Sequence, residues 1–195
     1  MKQKIGAILA AFSAALLLLS WLWSSNAAFA VQTDIVTVCA SGCDYTTISD
    51  AVYLAPEGSI VDVQAGTYNE NVVITQSLTV QGQGSTTIVD GQENGSVIEI
   101  TPGSAVTIKQ MVLQNGLSVS GGGGVYNDGT LTLTNLLIQN NVADCADGGG
   151  VLNLSQLTLQ DVIFTNNTAP FGAGMSNDKN GIAAASHITA TQNQT

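Results

Sequence analysis

The second half of the chain consists of copies of one unit of about 25 residues. Each copy joins a glycine-rich motif to a strand-like motif, and the clearest examples are residues 122–127 (GGGVYN) and 131–141 (LTLTNLLIQNN). A repeat of this length is typical of solenoid folds, in which each copy forms one coil that packs on the previous coil. Further copies of the glycine motif are residues 148–153 and 172–177, and further copies of the strand-like motif are residues 106–116, 157–167 and the decayed 188–193.

Apolar and polar residues alternate within each strand-like motif. Thr132 separates Leu131 from Leu133, and Thr158 separates two leucines in the same way. This alternation has the period of a β-strand, whose successive side chains point to opposite faces. Strands that recur in every coil stack in parallel at about 4.8 Å. We therefore predict an all-β, single-stranded parallel β-helix over residues 59–195, with about five coils.

Shorter apolar runs predict that the first half belongs to the same solenoid. Dipeptides typical of turns, such as Asp90-Gly91 and Asn94-Gly95, lie between these runs. The predicted strands are residues 59–63, 72–75, 78–80, 87–89 and 97–100.

Residues 31–58 are predicted to cap the first coil. In residues 47–55 apolar side chains recur at helical spacing, and Thr47 with Asp50 has the pattern of a capping box. A solenoid needs such a helix, because its first coil otherwise exposes apolar side chains and an unpaired strand edge.

The oxidation state expected for the three cysteines depends on the cellular compartment. Cys39 and Cys43 are four positions apart, and we expect them to form a disulfide in an oxidising environment. Half of a zinc site is the alternative for this pair. Cys145 remains, either as a free thiol or as the site of an intermolecular link.

Asparagine occupies two fixed positions of the repeat. Asparagines stacked at turns can pass side-chain amide hydrogen bonds from coil to coil, which predicts two structural ladders. A row of polar ligands for a sugar or an ion is the alternative. The predicted ladders are Asn127, Asn153 and Asn177, and Asn141, Asn167 and Asn193.

Residues 1–30 have the composition of a secretory signal peptide. Lys2 and Lys4 precede an uncharged apolar run from Ile5 to Trp23, and the segment ends in the cleavage pattern Ala-Phe-Ala. An uncleaved membrane anchor is the alternative, because this run of 19 residues can just span a bilayer. We expect export, with the mature protein secreted or held at the cell surface.

Charge excludes one class of function. The whole chain has a net charge of −10, and residues 31–195 keep two lysines and 14 acidic residues, which gives 2 − 14 = −12. The sequence contains no arginine. Nucleic-acid binding needs lysine and arginine to neutralise phosphates, so it is not expected.

The predicted cap and the start of the predicted solenoid contain three characteristic stretches, which are residues 39–52, 65–72 (AGTYNENV) and 78–82 (LTVQG). In these residues the chain resembles secreted right-handed parallel β-helix proteins with the pectin-lyase-like fold. With the repeats, the resemblance covers nearly all of residues 31–195. The repeats are also similar to those of chlamydial-type polymorphic outer-membrane proteins, which pair a Gly-Gly-aliphatic motif with Phe-x-x-Asn. Residues 123–126 and 149–152 fit the first element, and residues 164–167 fit the second.

The resemblance implies a choice between binding and polysaccharide chemistry. In that family the lyases use an arginine base with acidic calcium ligands, and the esterases use paired aspartates with an arginine. This sequence has no arginine, and Asp161 aligns with the turn residues Asn135 and Gln110 of other copies. We therefore assign no catalytic residue and interpret His187, which aligns with Asp161, as a surface turn residue.

Four aspartates are weak candidates for a calcium site. They lie at or beside the glycine-motif loops, and oxygen-rich loops can hold calcium. No other cofactor is expected. The four candidates are Asp128, Asp144, Asp147 and Asp178.

An external apolar stripe is predicted beside the core. In the second part of each strand-like motif, the residues on either side of Val112, Leu137 and Ile163 alternate inward, so these three point outward. A neighbouring segment shelters such a stripe, or it forms a contact surface.

These observations favour a non-catalytic secreted or cell-surface β-helix repeat protein that acts in adhesion or other extracellular surface interactions. A pectin-lyase-like polysaccharide lyase, hydrolase or esterase, or a shortened remnant of one, is the alternative. A glycan-binding module is another, which the absence of tryptophan from residues 31–195 weakens. The expected partner is an extracellular protein or polysaccharide surface, and no transmembrane helix is expected after residue 30.

The last repeat carries no predicted cap. Either end-to-end self-association covers the C-terminal coil, or the chain is a shortened relative of a longer surface protein.

Overall fold

The computed structural model describes Thr33–Thr195, so the predicted signal peptide lies outside the described residues. The described residues form a parallel β-helix of about six turns, which confirms the predicted fold class. The stack is longer than the about five coils predicted from the repeat, because the strand Ile35–Val38 already pairs in parallel with Ile60–Val63.

The described chain contains one α-helix, α1 (Ile48–Leu54), and one 3-10 turn (Gly84–Thr86). The strands are β1 (Ile35–Val38), β2 (Ile60–Val63), β3 (Gly66–Asn69), β4 (Val72–Ile74), β5 (Leu78–Gln81), β6 (Thr87–Asp90), β7 (Ile98–Ile100), β8 (Ala105–Gln114), β9 (Leu117–Ser118), β10 (Val125–Asn127), β11 (Thr130–Gln139), β12 (Val142–Ala143), β13 (Val151–Asn153), β14 (Gln156–Thr165), β15 (Met175–Asn177), β16 (Ile182–Ser186) and β17 (Thr189–Thr191).

Three sheets run along the stack, and their strands pair in parallel. The longest has the order β1-β2-β5-β8-β11-β14-β16, with β3, β6 and β17 attached beside it. The second has the order β4-β7-β10-β13-β15, and the third consists of β9 and β12. Since each sheet takes its strands from successive coils, one repeat position forms one row along the molecule.

The three ten-residue strands each contain one residue with left-handed backbone. These residues are Gln110 in β8 (φ +58°), Asn135 in β11 (φ +54°) and Asp161 in β14 (φ +54°). His187 has φ +52° between β16 and β17, in the last coil. Asn and Asp adopt this conformation more readily than most residues. Asp161 is thus a turn residue, in agreement with its alignment in the repeat.

The core is a column of aliphatic side chains. Val106, Leu131 and Leu157 occupy one row, and each is at most 3% exposed. Leu113, Ile138 and Phe164 occupy another row in successive coils, and Phe164 is 2% exposed. Burial of one such side chain contributes about 1.5–3 kcal/mol, so the repeated inward positions supply the main force that stacks the coils.

The N-terminal end of the stack is covered by α1. Thr47 is the N-cap residue, and its side chain accepts a hydrogen bond from the backbone N–H of Asp50 at 3.1 Å. Two further helix N–H groups, those of Ile48 and Ser49, donate to the carboxylate of Glu70 at 2.9 and 2.8 Å. Because Glu70 follows β3, this carboxylate ties the helix to the next coil and satisfies N–H groups that would otherwise lack a partner.

The five strands predicted in the first half are observed as β2, β4, β5, β6 and β7, each within about one residue at either end. Strand β3 was not predicted. Tyr68 is its single buried residue, at 8% exposure, and the Tyr68 hydroxyl donates to the carbonyl of Gln64 at 3.0 Å. One buried aromatic residue between polar neighbours leaves no alternation for the sequence to show.

The last coil packs against the preceding coil through the pairing of β16 and β17 with β14. Every residue of β16 and β17 is exposed, including Ile182 at 68%. Alanines 183 and 185 occupy the row of Leu157 and Leu159. Within Thr33–Thr195, no helix combines the length and the apolar composition needed to cross a bilayer.

Candidate functional site

The first asparagine row forms a continuous chain of amide hydrogen bonds. Asn127 Nδ2 donates to Asn153 Oδ1 at 2.7 Å, and Asn153 Nδ2 donates to Asn177 Oδ1 at 2.7 Å. Asn127 and Asn153 are fully buried, whereas Asn177 is exposed. Asn177 Nδ2 ends the chain on the carbonyl of Gly181 at 2.7 Å.

The second row repeats this geometry. Asn141 Nδ2 donates to Asn167 Oδ1, and Asn167 Nδ2 donates to Asn193 Oδ1, both at 3.0 Å. In the preceding coil the same position is Gly116, whose N–H donates to Asn141 Oδ1 at 2.9 Å. The buried amides of both rows bond to each other and to the backbone, so they join coils and do not face a ligand.

Several carboxylates also serve the fold. Asp90 accepts hydrogen bonds from Gln114 Nε2, Asn115 Nδ2 and the N–H of Gln92, at 2.8 to 2.9 Å. Burial raises the pKa of Asp90, but these three donors outweigh it and hold the pKa below its usual value of 3.8. Asp44 accepts from the N–H and the hydroxyl of Thr37 at 2.8 Å, and the backbone donor is the main cause of its lowered pKa.

The four candidate calcium ligands occupy different places. Asp128 and Asp178 follow the asparagines of β10 and β15, which lie two coils apart with β13 between them. Asp144 and Asp147 share the loop after β12. In residues 33–195, no three side chains of His, Cys, Asp or Glu lie close enough together to hold a metal ion.

The three cysteines lie outside the strands. Cys39 and Cys43 are joined by a disulfide, with their Cα atoms 5.5 Å apart. Cys145 is an exposed free thiol in the loop after β12. No asparagine row or candidate pocket depends on these residues.

The three residues of the apolar stripe occupy one row but differ in exposure. Val112 is 4% exposed, Leu137 is half-buried, and Ile163 is 44% exposed. The turn Gly84–Thr86 contacts β8 and β11, and it lines a groove of about 360 Å³ together with all three stripe residues. Shelter therefore decreases toward the C-terminal coil, and none of the three belongs to the main core cluster.

A shallow cavity of about 650 Å³ lies on the outer side of the second sheet. Two of its lining residues, Glu99 of β7 and Tyr126 of β10, are directly paired neighbours. The flanking residues Val125 and Asn127 are fully buried, so Tyr126 points away from the core. We call this cavity the Tyr126 pocket.

Two loops from successive coils form the rim of the Tyr126 pocket. One comprises residues 93–96 before β7, and the other comprises residues 117–120 around β9. Gly95 and Leu117 join them through a pair of backbone hydrogen bonds of 2.9 and 3.0 Å. Gln92 and Glu93 both have left-handed backbone, with φ of +53° and +54°. Two such residues in succession are costly, and the surrounding structure must hold this turn in place.

Glycine is required where the second loop crosses the sheet. Gly121 has φ +98°, and a Cβ atom at this position would lie 2.6 Å from a methyl carbon of Leu152. Leu152 is the residue next to Tyr126 in the same sheet row, and it is 8% exposed. The loop therefore covers Leu152 and ends the pocket at Tyr126.

The Tyr126 pocket combines an aromatic ring, carboxylates and hydroxyl groups. Burial is the main cause of the raised pKa of Tyr126, followed by the negative charges of Asp128 and Glu99. Glu93 adds a further carboxylate to the lining, and neither of the lysines after residue 30 is among the lining residues. The pocket is thus locally acidic within an acidic chain.

One buried hydroxyl faces this site. Ser118 is 7% exposed and lines the pocket, and its Oγ accepts a hydrogen bond from the N–H of Ser120 at 3.3 Å. A serine hydroxyl can both donate and accept hydrogen bonds, so Ser118 adds a neutral polar group to the lining.

Sequence analysis did not identify the Tyr126 pocket. One signal was present at the fifth position of the six-residue glycine motif. The fourth position is always apolar and the sixth is always Asn, but the fifth is Tyr126, Leu152 or Ser176 in the three copies. An outward position that changes type between coils marks a local feature, whereas a position that repeats marks the scaffold.

Comparison with known proteins shows the fold and no family. No protein-family model matches the sequence, and no curated protein matches it. Among solved structures, the chain is similar to a pectin methylesterase mutant in complex with a hexasaccharide, with a TM-score of 0.55 and 14% sequence identity. The similarity covers 80% of this chain and 55% of that enzyme, so the chain spans about half of the enzyme's length. The shared feature is the pectin-lyase-like β-helix.

Proposed function

We propose that this protein is a non-catalytic, exported β-helix that acts in adhesion or other extracellular surface interactions, and that it binds its partner through the Tyr126 pocket. The observation that carries the proposal is the composition of this pocket. A half-buried tyrosine and a serine hydroxyl lie beside two glutamates, in a cavity of the size that usually holds a small ligand.

The remaining acidic residues support binding over turnover. Glu70, Asp44 and Asp90 accept hydrogen bonds that hold the helix, the N-terminal loop and two neighbouring coils. Acid–base catalysis on a polysaccharide needs acidic groups that converge on the substrate. The acidic surface also opposes approach of an acidic polymer such as pectin, because like charges repel.

Binding to immobilised extracellular polysaccharides and matrix proteins tests the proposal. We compare the unmodified protein with Tyr126→Ala and with the control Tyr53→Ala, which removes a 76% exposed tyrosine from α1. We expect at least one component to retain the unmodified protein and Tyr53→Ala but not Tyr126→Ala. Equal retention of all three proteins, or no retention by any component, would contradict the proposal.

Polysaccharide processing is the second candidate, and the fold of the pectin methylesterase neighbour favours it. It is tested by incubation of the protein with pectin and with pectate, with and without calcium, followed by assays for methanol release, unsaturated products and reducing ends. Any turnover above that of a buffer blank, reproduced by independent preparations, replaces the binding proposal with an enzymatic one.

Self-association through the last coil is a further part of the proposal. In the described chain, β16 pairs with β14 alone, so its other edge is open. Ile182 and Phe171 are 68% and 71% exposed near this end. The residues after Asp178 contain one lysine and no acidic residue, so two copies can meet here without the repulsion expected elsewhere on the chain.

Sedimentation velocity over a range of concentrations tests this contact. We expect a dimer that Ile182→Lys weakens, because the lysine places a charge beside the open edge. Ile35→Lys is the matched control, since Ile35 is 63% exposed on β1 at the other end of the same sheet. A monomer at all concentrations, or equal effects of the two substitutions, would refute self-association at this end.

Calcium is kept as a secondary proposal for Asp144 and Asp147, which share one loop. Loops rich in oxygen ligands hold calcium with affinities that depend on the number of charged ligands. Titration calorimetry compares the unmodified protein with Asp147→Asn. Heat of binding that this substitution removes would support the site, and the absence of heat would exclude it.

A further inference from the structure

We infer that the ligand of the Tyr126 pocket is a cationic, hydroxyl-rich molecule, and that its chemical class is an amino-sugar glycan such as a glucosamine oligomer. This inference rests on the proposed binding function and adds the chemistry of the partner. It follows from three properties of the pocket: its charge, its aromatic face and its neutral polar groups.

The charge of the pocket selects a cation. Glu93 and Glu99 line it, and Asp128 is close enough to Tyr126 to act on that side chain. Lys109 lies on the first sheet, and Lys179 lies in the last coil, so neither compensates these carboxylates. A concave surface lined by one sign of charge concentrates ligands of the opposite sign.

The aromatic ring of Tyr126 adds a second attraction for the same class of ligand. The side chain is half-buried beside Glu99 in the same sheet row. The face of an aromatic ring attracts an ammonium group, and it also packs against the apolar face of a sugar ring. An amine that lies on the ring can therefore reach the Glu99 carboxylate as well.

The neutral polar groups distinguish an amino sugar from a lysine-rich peptide. Asn94, Ser96, Ser118 and Ser120 line the same cavity. The Ser118 hydroxyl, whose Oγ accepts from the N–H of Ser120, can also donate to a hydroxyl oxygen of a bound molecule. In a lysine-rich peptide the acceptors are backbone carbonyls remote from the ammonium group, whereas each ring of an amino sugar carries hydroxyl groups that donate and accept beside the amine.

The shape of the site fits part of a polymer. Its volume of about 650 Å³ is within the range of small-molecule pockets. The pocket is shallow, and a second groove, lined by Asp90 and Glu93 among others, shares Glu93 with it. A glycan chain can therefore place one residue on Tyr126 and extend its neighbours along the acidic rim.

Binding of a fluorescent glucosamine pentamer tests the inference. Its fully N-acetylated counterpart removes the charge, a neutral glucose pentamer lacks the amine, and pentalysine keeps charge without sugar hydroxyls. We expect the glucosamine pentamer to bind at least about tenfold more tightly than the other three, from the combined charge and hydrogen-bond contributions.

Substitutions locate the binding to the pocket. We expect Tyr126→Ala and the double variant Glu93→Gln with Glu99→Gln each to weaken glucosamine binding about tenfold. Glu57→Gln is the control, because it removes one carboxylate charge at an exposed position near α1, and it should leave binding unchanged. Circular dichroism confirms that every variant keeps its strand content.

The outcomes separate the inference from the proposed function. If the acetylated or neutral pentamer binds as tightly and Tyr126→Ala abolishes that binding, the cationic class is wrong but the pocket still binds. If pentalysine binds equally well, or Tyr126→Ala has no effect on glucosamine binding, the attraction is general charge and the inference is refuted. If none of the four ligands binds, the amino-sugar assignment is refuted, and the retention experiment alone decides the proposed function.

Discussion

The two ends of the described β-helix differ in how they are covered. At the N-terminal end, α1 packs against β1, β2 and β4, and its inward residues Ile48, Ala51 and Val52 are at most 1% exposed. At the other end, every residue of β16 and β17 is exposed. The repeat position of Leu157, which is 3% exposed, is thus solvated at Ala183 in the last coil. The cost of a substitution should therefore depend on the coil in which it lies more than on the residue type.

The largest effect is expected for Phe164→Ala. Phe164 is 2% exposed and lies under the last coil, whereas Phe171, only seven positions later, is 71% exposed. Removal of a fully buried aromatic ring costs about 4 kcal/mol, because it loses apolar contacts and leaves a cavity. For a chain of this size the midpoint of thermal unfolding should fall by about 10 °C. Differential scanning calorimetry measures this change.

Phe171→Ala is the matched control for that prediction. It removes the same side chain from a solvated position, and we expect its effect on the unfolding free energy to stay within about 0.5 kcal/mol. A similar loss for both variants would mean that the last coil is covered in solution, as self-association predicts. Repetition at a concentration at which the protein is monomeric separates these two explanations.

The asparagine row gives the second comparison. Asn153→Ala removes an amide that bonds both Asn127 and Asn177, and it leaves the fully buried Asn127 Nδ2 without that acceptor. We expect a loss of about 3 kcal/mol. Asn177→Ala acts on the exposed end of the same row, where water replaces the missing group, so its cost should be below about 1 kcal/mol. Urea unfolding followed by circular dichroism measures both.

Equal losses for the two variants would contradict the dependence on coil position. A loss for Asn153→Ala below that of Asn177→Ala would show in addition that the amide chain contributes little, and that the apolar column alone stacks the coils.

The sequence was sufficient for the regular part of the fold because the inward positions repeat. Leu131 and Leu133 recur in register in the neighbouring coils, so strand, face and pairing follow from one pattern. The outward row of Val112, Leu137 and Ile163 follows from the same register. The sequence did not show how far Val112 is buried, because the turn Gly84–Thr86 comes from a loop two strands earlier in the chain.

The Tyr126 pocket could not be predicted for a related reason. Its lining combines residues 93–96, Glu99, residues 117–120 and Tyr126, which meet only after two coils have stacked. Glu93 lines this site, and although the neighbouring glycines predict a turn here, the sequence does not show that Glu93 itself has left-handed backbone. A repeat pattern shows the residue positions that successive coils have in common, whereas the lining of this pocket consists of residues that differ between coils.

A smaller effect is expected at the N-terminal end of the stack, which α1 covers. Glu70→Ala removes the acceptor for the N–H groups of Ile48 and Ser49 and for the Ser49 hydroxyl. We expect a loss of about 1–2 kcal/mol, similar to that of a lost helix cap. Glu57→Ala is the control, because Glu57 is exposed just after the helix. Hydrogen exchange should show faster exchange in α1 for Glu70→Ala than for Glu57→Ala.

An unchanged exchange rate in α1 would show that burial of its apolar face, and not the Glu70 carboxylate, holds the helix on the first coil.

The smallest effect concerns pH and Asp90, which joins two neighbouring coils away from the open end. Burial raises the pKa of Asp90, but the donors Gln114, Gln92 N–H and Asn115 outweigh it, so the folded pKa lies below the usual 3.8. A lowered carboxyl pKa contributes stability above the unfolded pKa, and this contribution is lost as the pH falls through the folded pKa. We expect Asp90→Asn to be less stable than the unmodified protein at pH 7, and the gap to close as the pH falls below 3.8 and through the lowered folded pKa. Asp178→Asn in the last coil is the control and should show no such gap at pH 7.

Urea midpoints measured across this pH range test the prediction. A constant gap down to pH 2 would mean that the three donors bind the neutral carboxyl equally well, so that ionisation of Asp90 does not contribute to the stacking of these coils.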